Sequence, residues 1–191
     1  HELIDSNNQI KIAEEEVRRE LERVLRIRSE WVASEGPALD TAFRELVALD
    51  TLQARARLGH ALDAAAPTFS PTGALHLRRA RNPHLLLKGT AVVPNDIALA
   101  PEQSFLVITG PNTGGKTVTI KNVGLLALMT QCGIPIPARE DSRMPVFNRI
   151  FIDIGDEQSL QQSLSTFSSH LATLLEILRG SGGRSLVLID E

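Results

Sequence analysis

Three features of the sequence predict an α/β protein. The first third is helix-forming, an apolar run enters a glycine-rich turn and leaves it as a helix, and a second apolar run ends on two acidic residues. The first apolar run, residues 105–109 (Phe-Leu-Val-Ile-Thr), is continuous and not alternating, as in a parallel-sheet strand covered on both faces. Gly110-Pro111-Asn112-Thr113-Gly114-Gly115-Lys116-Thr117 follows, then a helix-like stretch over 118–129. The expected architecture is therefore a sheet domain over 67–191, cut after the strand 186–189, preceded by an all-helical arm over 1–66.

The helical reading of residues 1–66 rests on abundant Glu, Arg, Leu and Ala with only Gly36, Pro37 and Gly59 as breakers. Ile10, Val17, Val24 and Trp31 recur at seven residues with Leu21 between them, while Glu14 and Arg28 interrupt the seam. Glu14, Glu15 and Glu16 beside Arg18 and Arg19 suit a long solvent-exposed helix. Gly36-Pro37 is expected to break it, and Leu39, Phe43, Leu46 and Leu49 to start a second helix, giving an antiparallel arm. Two ordinary helices flanking a domain would read the same way.

Residues 67–73 (Pro-Thr-Phe-Ser-Pro-Thr-Gly) form a turn-rich boundary. Short strands are expected at 75–80 and 91–93, with turns at 81–84 and 94–96. The helix after the glycine-rich turn should stop at Gly133 and Pro135. A strand over 146–152, a polar turn over 153–159 and a helix follow. That helix should carry Phe167, Leu171, Leu174 and Leu178 on one face, with Ser165 or Thr166 as its cap.

Bulk properties narrow the function classes. With 42% hydrophobic and 23% charged residues the composition is that of a soluble globular protein. A net charge of −3 argues against a chain that coats nucleic acid by itself. Cys132 is the only cysteine, which excludes an internal disulfide and a multi-cysteine zinc site, and it is expected to be a small core residue. The five histidines show no metal-ligand spacing. No apolar run is long enough to span a membrane and no secretory leader is evident, so a cytoplasmic location is expected.

The chemistry concentrates in two places. The spacing G-x-x-x-x-G-K-T between a strand and a helix is that of a loop whose backbone N–H groups cradle a polyphosphate. Gly110, Pro111, Asn112, Thr113, Gly114 and Gly115 would form the cradle, Lys116 would reach the outer phosphates and Thr117 would complete a Mg²⁺ shell. The run Leu186-Val187-Leu188-Ile189-Asp190-Glu191 would deliver Asp190 to the same ion, with Glu191 placed to activate water. ATP with Mg²⁺ is the expected ligand. Because a central strand seldom ends a sheet domain, the domain is expected to continue past Glu191.

These residues resemble a known family. The run 108–117, then Val123-Gly124-Leu125-Leu126, Met129, Gln131, Gly133 and Pro137-Ala138, is similar to the ATPase domain of the MutS family. Thr113 ahead of Gly-Gly-Lys-Thr, the stretch 153–159 (Asp-Ile-Gly-Asp-Glu-Gln-Ser) and the stretch 164–170 (Leu-Ser-Thr-Phe-Ser-Ser-His) resemble its second bacterial subfamily and not the mismatch-repair branch. The likeness spans about residues 7–191.

That resemblance implies an ABC-type P-loop ATPase acting as a homodimer, with each nucleotide held between two subunits. Ser165 would face the partner's γ-phosphate, though its hydroxyl also suits a plain helix cap. Val92 stands where mismatch-repair relatives place an aromatic against adenine, three residues before Asn95, so adenine selectivity would rest on shape and backbone contacts. The arm would be the lever and connector, and nuclease activity would belong to a separate Smr domain. The implied targets are branched DNA, giving suppression of homologous recombination, or collided ribosomes, giving their rescue, with nucleoid or ribosome association in the cytoplasm. Alternatives are a nucleotide-gated nucleic-acid-binding module with incidental turnover, a mismatch-repair type ATPase, and a small-molecule kinase. Asp190-Glu191 argues against the kinase, which needs no activated water.

Overall fold

The structure, a computed structural model, describes residues 2–111, 114–154 and 163–190, with the backbone alone for Glu2 and residues 163–169. Of the residues singled out above, Asn112, Thr113 and Glu191 lie outside the described residues, as does most of the polar turn over 153–159. Contacts divide the chain into two units, His1–Leu52 and Gln53–Glu191.

The first unit is helical throughout. Helix α1 runs Glu2–Ala61, its last turns belonging to the second unit, and Pro37 lies inside it. The predicted break at Gly36-Pro37 and the antiparallel arm are therefore corrected to a single helix. Proline removes one N–H, so one rung of the ladder, to the Ala33 carbonyl, is lost while the turns on either side keep theirs. Serine and threonine back-bonds flank the spot, Ser34 Oγ to the Trp31 carbonyl at 2.6 Å and Thr41 Oγ1 to the Pro37 carbonyl at 3.0 Å. Of the charge pairs expected among Glu14, Glu15, Glu16, Arg18 and Arg19, Arg19–Glu15 forms, while Arg18 pairs with Glu22, and Arg23–Glu20 and Arg44–Asp40 pair further along. All are exposed, so each contributes little. The hydrogen bonds from Arg23 hold the Glu20 carboxyl below the usual carboxylate range. The seam residues Ile10, Val17, Leu21, Val24 and Trp31 are all exposed.

The second unit contains the core. A four-stranded sheet has the order β1-β4-β2-β3, from β1 (Thr68–Ser70), β2 (Leu75–Ala80), β3 (Asn95–Leu99) and β4 (Arg143–Pro145). β1 and β4 are parallel, while β2 is antiparallel to both β3 and β4. Along β2, Leu75 and Leu77 are buried alternately, then the register shifts and Ala80 is buried instead of Arg79. Arg79 absorbs the extra residue with φ 48°, in the left-handed region. Between β2 and β3, Asn82 and Pro83 form the start of helix α2 (Pro83–Leu87), not a turn. Asn82 Oδ1 accepts from the N–H groups of His84 and Leu85 at 3.0 and 3.2 Å, and Pro83 takes the first helical position. The strand expected at 91–93 forms at Asn95–Leu99 instead.

Residues 105–109 enter no ladder, which corrects the predicted central strand. Phe105, Leu106 and Val107 are exposed. A strand apolar on both faces needs neighbours at both edges and cover above and below, and the described strands pair with one another.

Helix α3 (Lys116–Gln131) follows the glycine-rich turn and buries Val123, Leu126, Ala127 and Met129. It stops where expected: Gly133 has φ 68°, its N–H bonds to the Thr130 carbonyl at 3.0 Å, and the Ile134 N–H reaches the Met129 carbonyl at 2.9 Å. Cys132 caps this end and is exposed, not a core residue, because the buried stripe of α3 lies on another face.

Strands β5 (Arg149–Ile154) and β6 (Ser185–Asp190) form a parallel pair in the register Arg149↔Ser185 through Ile154↔Asp190. Helix α4 (Ser163–Gly180) is the crossover between them. Since α4 begins at Ser163, Ser165 and Thr166 fall within its first turn and not at the cap. Among its described side chains Ile177 is buried and Leu174 half-buried, whereas Leu171 and Leu178 are exposed; the side chain of Phe167 lies outside the described residues.

Gly124 shows how closely α3 approaches β6: a Cβ there would lie 2.6 Å from Leu188 Cδ1, and Leu188 is itself buried. Gly124→Val should lower stability by about 1–3 kcal/mol through overpacking. A lower urea midpoint with an unchanged slope checks this, and Leu125→Ala on the exposed side of α3 should shift the midpoint less.

Candidate functional site

The glycine-rich turn has the backbone its sequence calls for. Gly110 has φ 148° and Gly115 has φ 78°, both in the region that favours glycine, and a Cβ on either would meet open space. The Gly114 N–H closes a turn on the Pro111 carbonyl at 2.9 Å. Gly115 is the N-cap of α3 and makes no side-chain cap bond. Lys116 folds back, and its Nζ donates to the Gly110 carbonyl at 2.9 Å, which holds the ammonium over the turn. Thr117 is half-buried in the first turn of α3.

Strand β3 joins the site through Thr119, a residue the motif does not mention. Its Oγ1 donates to the Gly115 carbonyl at 3.0 Å and accepts from Asn95 Nδ2 at 3.3 Å. Asn95, at the start of β3, is thereby tied to the base of the glycine-rich turn. The only sequence signal for Thr119 was its place four residues after Gly115, where a helical hydroxyl back-bonds to a carbonyl.

A cleft of about 710 Å³ opens beside this contact, lined by Arg79, Pro94, Asn95, Asp96, Ile97, Thr109 and Thr119 among others. That is within the size range of small-molecule sites. Val92 is half-buried and is not among the lining residues.

Asp190 ends β6, beside Ile154 of β5. Strand alternation puts Leu186, Leu188 and Asp190 on one face, and Leu188 touches α3 at Gly124. Asp190 therefore lies on the face that α3 covers, half-buried. Ser165 is in α4, where only its backbone is described.

The sequence reading also missed a contact between α4 and β5. His170 Nδ1 and Asp153 Oδ1 are 2.8 Å apart, with the Asp153 side chain only 11% exposed. It anchors the N-terminal half of α4 to the C-terminal end of β5, and nothing local in sequence links residues 17 apart across a turn. Among the described residues, no group of three or more His, Cys, Asp or Glu side chains could hold a metal, and no helix is long and apolar enough to cross a membrane.

A glycine-rich turn under a folded-back lysine and a carboxylate on a parallel strand beneath the following helix belong to a mixed α/β domain, and residues 106–191 match the family model of MutS domain V. The chain belongs to the MutS family. Within it the likeness is to the MutS2 type. It is 48% identical over 189 residues, 99% of the chain, to endonuclease MutS2 of Shouchella clausii, and 47% identical over 189 residues to the putative endonuclease MutS2 of Bacillus subtilis. It is 44% identical over 188 residues to endonuclease MutS2 of Caldicellulosiruptor saccharolyticus. The chain spans 24% of the length of each of these relatives.

His170→Ala should leave the mostly buried Asp153 carboxylate without its partner and lower stability by about 1–3 kcal/mol. Chemical denaturation followed by circular dichroism checks this, and Asp153→Ala in the His170→Ala background should cost much less than it does alone.

Proposed function

We propose that this chain is the nucleotide-handling part of a dimeric MutS2-type clamp that binds and hydrolyses ATP. The reading rests above all on Lys116 Nζ, held 2.9 Å from the Gly110 carbonyl over a turn with two left-handed glycines at the N-terminus of α3. That is a preformed set of donors for a polyphosphate. Gly110 to Gly115, Asn112 and Thr113 included, form the cradle, and Lys116 reaches the β- and γ-phosphates. Asn95 serves the nucleoside end, where Val92, expected there from the sequence, does not line the cleft. The ion-binding candidates Thr117 and Asp190 offer a hydroxyl and a carboxylate, hard oxygen donors that suit Mg²⁺. The ion, when bound, would neutralise charge on the β- and γ-phosphate oxygens.

The chain's own residues then divide the reaction. Glu191 accepts a proton from water, whose oxygen attacks the γ-phosphorus as the bond to the bridging oxygen breaks, leaving ADP and inorganic phosphate. Lys116 offsets the charge that develops on the transferred phosphoryl group. Ser165 of the partner's α4 closes over the γ-phosphate, which makes turnover depend on the homodimer. Residues 1–66 act as the lever and connector that carry the change of state onward, and residues 67–191 as the N-terminal part of the ATPase domain. Three relatives are named as endonucleases. In keeping with those names the clamp encloses nucleic acid, as branched DNA whose recombination it suppresses or as the RNA of a collided ribosome, in the cytoplasm. The nuclease chemistry lies outside these residues.

In the full-length protein, Lys116→Ala should abolish nucleotide binding measured by titration calorimetry. Glu191→Gln should retain binding while steady-state hydrolysis falls by about 10²–10⁴-fold, the usual contribution of a positioned base. Retained ATP affinity in Lys116→Ala would sink the reading. Binding to four-way junctions against stalled disomes, at one stated salt concentration, identifies the target.

A further inference from the structure

Arg79 is the one residue beside the nucleotide cleft whose backbone is strained and whose charge is unspent. It sits in the left-handed region at φ 48°, at the point where the β2–β3 register shifts. A non-glycine residue held there costs free energy and persists only when its surroundings fix it. The fixing group is Asp96, whose Oδ1 accepts the Arg79 N–H at 2.6 Å. The bulge turns the exposed Arg79 side chain away from the alternation of β2.

The surrounding arginines are all engaged. Arg78 and Arg139 pair with Asp141, and Arg81 pairs with Asp63 and bonds to two carbonyls. Among the described residues Arg79 alone of these four has no carboxylate partner. It borders two clefts. One is lined by the pairs just named, Asp63 with Arg81 and Arg139 with Asp141, together with Glu140. The other is lined by Asn95, Thr109 and Thr119, and Thr119 is bonded to the Gly115 carbonyl at the base of the glycine-rich turn. No aromatic side chain lines that cleft, and Val92 does not reach it.

We propose that Arg79 is the base-covering residue of the nucleotide site: its planar guanidinium stacks on the purine of the bound nucleoside triphosphate, in the role an aromatic ring would otherwise fill. The inference rests on the proposed function and extends it to the nucleoside end. A guanidinium is planar, weakly hydrated and attracted to π faces, which lysine is not. Stacking reads the face of a base and not its edge, so Arg79 supplies affinity for ATP and GTP alike without choosing between them.

The test compares ATP, GTP and inorganic tripolyphosphate as competitors of a fluorescent nucleotide on the full-length protein. Arg79→Ala should weaken ATP and GTP about tenfold each, the effect of one lost stacking contact, and leave tripolyphosphate unchanged. Arg79→Lys should behave like Arg79→Ala, because charge without a plane is insufficient. Arg79→Gly should lose the same affinity while its melting temperature rises, since glycine relieves the left-handed backbone. Unchanged ATP affinity in Arg79→Ala overturns the proposal, as does rescue by lysine, or an equal loss of tripolyphosphate binding. A wild-type protein that binds none of the three competitors overturns the proposed function itself, an outcome distinct from these.

Discussion

The close approach of α3 to β6 sets the geometry of the candidate site. Because residue 124 has no side chain, the helix lies against Leu188 with no room for another carbon. Everything upstream on α3 inherits that placement: Gly115 caps the helix, Lys116 folds over the turn, and Thr119 reaches out to Asn95. Everything downstream on β6 inherits it as well, since Asp190 lies one alternation beyond Leu188 on the covered face. Removing a side chain at one position in the middle of a helix thus aligns two motifs that are far apart in sequence. The cost of glycine in a helix, roughly 1 kcal/mol relative to alanine, is offset by the packing it permits.

The two units draw their stability from different sources. In the second, buried hydrophobic residues from β2, β3, β4, β6, α3 and the connecting segments form one cluster among the described residues, with Leu62, just after α1, among them. In the first, side chains are exposed, and the helix rests on propensity and on exposed ion pairs that contribute little apiece. Local opening is therefore expected to be easier in the first unit than around Leu77, Leu126 and Met144, each with essentially no exposed surface.

What could be read in the sequence were the features whose cause is local. The glycine-rich turn, the helix after it, its stop at Gly133, and strands β2 and β6 all follow from spacing, glycine placement and apolar runs. Features that depend on distant partners were not legible. Residues 105–109 have strand composition, but a strand needs edges to pair with, and that depends on the rest of the sheet. Arg79 and its register shift are invisible because nothing in Arg-Arg-Ala-Arg marks which residue will take a positive φ; Asp96, on the next strand, decides it. The His170–Asp153 contact is closed by the crossover geometry of β5, α4 and β6. Pro37 misled in the opposite direction, since a proline's local preference was overruled by the good helix formers on both sides of it.

That proline gives α1 a mechanical property. A helix behaves as a spring whose stiffness comes from its ladder of hydrogen bonds, and at Ala33 the ladder lacks a rung because Pro37 has no hydrogen to offer. Adjacent Gly36 adds backbone freedom at the same turn. Bending of the first unit concentrates there, so α1 works as two stiff rods joined by a compliant turn, which flexes under load without the helix having to melt.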